Sequence, residues 1–118
     1  MDEDYKVAFG LIMVAGDARS EAMLSIRSAK NGDISKAEEL LKSAENRLLE
    51  AHQMQTDLIQ QEAQGNKVDV NIILVHSQDH LTSAMVIIDL AKEFIDMYVE
   101  VLSLKDALRN PEGRKENV

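Results

Sequence analysis

The chain has no cysteine and no tryptophan. Without cysteine it can form no disulfide, no thiolate metal site and no cysteine nucleophile. Aromatic residues are only 3% of the composition against 45% hydrophobic residues, so Leu, Ile, Val, Ala and Met must do the packing. Proline occurs once and glycine five times, which leaves little to interrupt long elements. No apolar run approaches the ~18–20 residues needed to span a bilayer. Positive charge is also short: 13 Lys+Arg face 21 Asp+Glu, a net charge of -8. An acidic chain with no basic cluster suits neither nucleic acid nor an anionic membrane surface, and no nucleic-acid partner is expected. The opening Met1-Asp2-Glu3-Asp4 lacks the basic start and apolar core of a signal peptide. A cytoplasmic protein is expected.

What is present reads as one domain, since 118 residues can bury a core without staples. Asn31-Gly32-Asp33 and Gln64-Gly65-Asn66 are breaks, and Pro111 with Gly113 marks a stop. They leave three segments, about 4–30, 34–63 and 70–108, none with the period-2 alternation of a strand. All three are predicted helices, forming a domain over 1–108 with a polar, disordered tail over 109–118. In the first, Val7, Leu11, Val14, Ala18, Ala22, Ser25 and Ala29 recur at helical spacing. The second carries Ile34, Ala37, Leu41, Ala44, Leu48, Ala51, Gln55 and Leu58 without a slip, with Gln55 its lone polar member. Asp33 is its predicted N-cap. Short linkers make neighbours antiparallel, so the fold class is all-α, an up-down-up three-helix bundle.

The third segment is apolar nearly all round. One of its rows is Ile72, His76, Asp79, Ser83, Val86, Leu90, Met97, Val101 and Leu104. Two partner helices cannot cover such a surface, so another copy of the chain should. Met13, Met54, Met85 and Met97 are expected to pack in the core.

Within that segment lies Val75-His76-Ser77-Gln78-Asp79-His80-Leu81, which gathers two of the three histidines, an amide and a carboxylate. His76, Asp79 and His80 stand at i, i+3 and i+4 and share a helix face. Set among apolar rows, Asp79 needs a cation, a partner or a shifted pKa. The residues alone leave three readings open. The cluster is solvated surface; or His76, Asp79 and His80 bind a divalent metal such as zinc, structural or catalytic, within an acidic adaptor bundle; or one histidine is a nucleophile that carries a transferred group. No phosphate-cradling glycine loop is present, and the paired Glu-x-x-His motifs of a di-iron bundle are missing.

The heptapeptide resembles the active-site motif of the lactose/cellobiose (chitobiose)-type IIA component of the bacterial phosphoenolpyruvate-dependent sugar phosphotransferase system. Gly10-Leu11-Ile12 and Gly16-Asp17-Ala18-Arg19-Ser20 are similar to that family's first helix, and Asn31-Gly32-Asp33 to its first turn. Glu50-Ala51-His52, Gln55-Thr56 and Leu58-Ile59 are similar to its second helix. The resemblance runs without a gap over about residues 7–100, with Ser77 where the family has alanine.

That resemblance implies a phosphocarrier. His76 would take a phosphoryl group from phospho-HPr and hand it to a cysteine of a separate IIB component. The membrane IIC component would be reached only indirectly. His80 and Gln78 would support the phosphoryl group. Asp79 would face the threefold axis of a homotrimer, where three copies hold one divalent ion, Mg2+ by family habit. Oxygen ligands suit such a hard cation.

Overall fold

Two glycines decide where the helices end. Gly32 (φ 91°) and Gly65 (φ 92°) adopt the left-handed conformation that L residues with a Cβ disfavour. Each stands at the C′ position of a six-residue cap: Asp33 N–H bonds Ser28 O at 2.9 Å, and Asn66 N–H bonds Gln61 O at 3.1 Å. The computed structural model describes residues 3–111. It contains α1 (Glu3–Lys30), α2 (Ile34–Ala63) and α3 (Ile72–Arg109), with no strand among the described residues. The expected Asp33 cap forms, its carboxylate accepting Lys36 N–H at 3.0 Å. The third helix begins two residues later than expected because Asn71 caps it, accepting Leu74 N–H at 2.9 Å. Of the expected tail, residues 112–118 lie outside the described residues.

Helix α1 lies between the other two. Its buried line is Ala8, Leu11, Ala15, Ala18, Ala22, Ser25 and Ala29; Val7 and Val14 are half-buried beside it, and Val14 packs against the core. Helix α2 offers Ala37, Ala44 and Ala51, one per heptad, and α3 offers Ser77, Leu81, Ala84, Ile88, Ala91 and Ile95. Small residues on facing lines let helix backbones approach closely. At Gly10 the missing Cβ leaves room for the tip of a side chain from α2: a Cβ there would stand 3.0 Å from Met54 Cε. Met54 does pack on the core, but Met13, Met85 and Met97 are exposed, contrary to expectation. They lie on the outward faces of α1 and α3 rather than between the helices.

The result is a plank, 68 × 23 × 18 Å, with a radius of gyration of 19.9 Å. A compact domain of this length would have a radius near ~13.5 Å. Arg47 on α2 joins α1 through Glu21 at 3.2 Å and Asp17 at 3.9 Å. The Asp17 pair is solvent-facing and contributes little to stability, whereas the Glu21 carboxylate is largely covered.

Candidate functional site

The cluster occupies the first three turns of α3, directly after the Asn71 cap. Helix geometry alone spreads its members around the axis, each residue turning about 100° from the last. His76 and His80, one turn apart, meet. Their Nε2 atoms are 3.1 Å apart and their rings pack edge-on, with centroids at 4.6 Å and planes at 83°. At that distance one ring nitrogen donates its proton and the other accepts. Neither imidazole has another hydrogen-bond partner among the described residues, and His76 is exposed while His80 is half-buried. An exposed nitrogen on a fixed helix is open to a reacting group carried by a second protein.

Asp79 stands about 60° around the helix from His76 and bonds neither imidazole. It is exposed on the outer row of α3 among Ile72 (80% exposed), Val86 (51%) and Leu90 (45%). The burial expected of its carboxylate is therefore not met within one chain, because the row that carries it meets neither α1 nor α2. For the same reason the reading of an intrachain metal site at His76, Asp79 and His80 is not supported. Among the described residues no three His, Asp or Glu side chains converge to hold an ion.

Gln78 stands about 160° around the helix from His76 and faces α2, where its Oε1 accepts from Gln55 Nε2. The structure thus brings His80 to His76 and carries Gln78 away from it within the same chain. Its amide nitrogen lies 3.5 Å from Ser77 Oγ, which donates to Leu74 O at 2.6 Å. Ser77 is fully buried. Gln55 and Gln78 floor an apolar cleft walled by Leu58, Ile59, Val68 and Leu74. The connection after α2 is drawn onto it by Glu62, whose carboxylate accepts Val68 N–H at 2.9 Å.

Sequence reasoning did not assign Asn71 or Gln55 a part in this site. Asn71 sat in an apolar flank that read as helix, although an amide before an apolar run is a cap signal. Gln55 did show itself as the single polar member of an apolar seam. His52 and Arg19 are exposed and belong to other surfaces, His52 in a groove with Asp89 and Lys92, and Arg19 beside Met23 and Arg27.

Comparison with known proteins first gives the class, a phosphotransferase component built from helices. The structure of the cellobiose-specific IIA enzyme of the Bacillus anthracis phosphotransferase system superposes with a TM-score of 0.85 at 41% identity, over 87% of this chain and 94% of that one. The IIA(chitobiose)–HPr complex of Escherichia coli gives a TM-score of 0.74 at 36% identity, over 86% and 98%. The lichenan-specific phosphotransferase enzyme IIA component of Bacillus subtilis is 40% identical over 106 residues, 90% of this chain and 96% of that one. The family model for the PTS system lactose/cellobiose specific IIA subunit matches residues 6–99, and the chain belongs to that family. No helix among the described residues is long and apolar enough to cross a membrane.

Proposed function

We propose that His76 is the phosphoryl-carrying nucleophile of a IIA component in the uptake of a lactose-, cellobiose- or chitobiose-type sugar. The observation that carries this reading is the exposed His76 imidazole, paired through Nε2 with His80. A ring nitrogen of His76 attacks the phosphorus of phospho-HPr. As its N–P bond forms, the donor's N–P bond breaks and the donor imidazole leaves. A thiolate of a IIB component then attacks the same phosphorus and His76 is released. Such transfers need in-line positioning and donors for the spread charge more than covalent assistance from the protein. His80 Nε2, now against His76 Nε2, is placed to donate to an oxygen of a group attached there. The E. coli relative solved in complex with HPr supports the choice of donor. The reaction belongs in the cytoplasm, with IIC met only through IIB.

The assembly in this proposal is a homotrimer formed on the outer row of α3. Ten of the seventeen exposed large apolar side chains among the described residues lie on that helix. Asp79 lies in the same row, so a trimer would gather three carboxylates. Oxygen donors fit Mg2+, and the ion, when bound, would offset their mutual repulsion. Asp79 is the residue that would hold it.

The test is incubation of the chain with phosphoenolpyruvate, enzyme I and HPr, followed by assay for acid-labile phosphate. Labelling of the native chain and none of His76→Gln is expected. A His76→Gln chain that still acquires phosphate overturns the assignment.

A further inference from the structure

One polar side chain of α2, Gln55, reaches the turns of α3 that carry His76. Gln55 interrupts an α2 seam of Ala, Leu and Ile, and a polar group there costs stability unless it is bonded. It is bonded to Gln78 across the α2–α3 boundary. From Gln78 the contacts pass to Ser77 at 3.5 Å and on to the Leu74 carbonyl at 2.6 Å. His76 lies inside the stretch that this chain of contacts brackets. The other polar contact between the two helices among the described residues is the half-exposed Lys92–Glu45 pair at 3.9 Å. The rest of the boundary is apolar packing, which fixes rotation less specifically than a directional bond.

The His76 and His80 rings, by contrast, touch no other polar group among the described residues. Their direction therefore follows the rotation of the first turns of α3. We propose that Gln55 is a positioning residue: through Gln78 it fixes that rotation and so sets the line along which His76 meets an incoming phosphoryl group. The inference rests on the phosphocarrier reading of His76. A rotation of 10–20° lies at the limit that reacting geometry tolerates, and a misplacement of about 1 Å can slow a reaction 10²-fold.

Variants of the full chain test it, assayed over a range of phosphohistidine-donor concentrations up to saturation. Gln55→Leu keeps the volume and extends the apolar seam, and Gln55→Asn keeps the amide but loses the reach. Both should lower kcat by about ten- to a hundredfold with KM for the donor unchanged, and both should shift the His76 ring signals in NMR spectra. Gln55→Glu, whose carboxylate can accept from a reversed Gln78 amide, should recover most of the rate. Combining Gln55→Leu with Gln78→Leu should cost no more than Gln78→Leu alone, because Gln55 acts through its partner. Native kcat in the Leu or Asn variant overturns the proposal, as does a Glu variant as slow as Leu or a fully additive double variant. A native chain that takes up no phosphate fails in a different place: it refutes the phosphocarrier reading itself.

Discussion

His80 supplies the only polar contact that His76 makes among the described residues, so its removal should be felt in transfer and not in folding. His80→Ala is expected to slow phosphoryl acceptance by about 10²-fold, the typical cost of losing one donor to a developing negative charge, with an unchanged thermal midpoint. A rapid-quench measurement against phospho-HPr reads the first quantity and circular dichroism the second. Ser77 behaves oppositely. Its hydroxyl is fully buried and bonded to its own helix through Leu74 O. Ser77→Ala loses that bond but gains helix propensity and removes a buried polar group. The net change in unfolding free energy should stay within about 1 kcal/mol. A loss of several kcal/mol on urea titration would show that the bond does more than seat the helix.

At the scale of the elements, the helix ends matter more than the helix middles. Asn71 caps the helix that carries the histidine pair, and Asn71→Ala should cost about 1 kcal/mol. The first turn of α3 should also fray, visible as faster amide exchange at Leu74, whose N–H the cap holds. The glycines divide by conformation. A Cβ on Gly16 meets nothing within 4 Å, so Gly16→Ala should stabilise α1 by about 1 kcal/mol. Gly65 has φ 92°, and Gly65→Ala should destabilise by about 1–2 kcal/mol. The two substitutions therefore move the urea midpoint in opposite directions.

For the whole molecule, the deciding quantity is how little the single chain buries. Leu11, Leu81 and Ile88 are its only large apolar side chains that are fully buried among the described residues, and alanine fills most of the other core positions. Alanine lines allow close packing but each removes little area from water, about 25 cal/mol per Å². Meanwhile Val86, Leu90, Met97 and Leu104 stand 45–63% exposed in one row along α3. Patches of this kind mark association surfaces. Replacing Leu90 with lysine should therefore turn an oligomer into monomers in sedimentation equilibrium, and the monomer should melt at a lower temperature. Asp79→Leu should change either divalent-ion binding or the stability of the oligomer, and indifference in both would remove the axial role proposed for Asp79.

The three helices, both glycine breaks and the Asp33 cap were legible in the sequence, because each rests on local periodicity or on a local backbone requirement. So was the placing of His76 and His80 on one face, which a spacing of four residues gives any helix; that their rings bond each other came from the structure. The excess of apolar surface on α3 was legible as well, and its outer row is the row that Ile72, His76, Asp79, Val86, Leu90 and Met97 define. Which apolar line faces inward was not. In a helix apolar nearly all round, period 3.6 marks no unique face, and only the placement of α1 buried Leu81, Ala84 and Ile88 and left Asp79 outside. The same placement brought Gln55 against Gln78, whose turn away from the histidines the helix itself already sets. The sequence by itself determined which groups could act at this site; the packing of three helices decided which of them stand together.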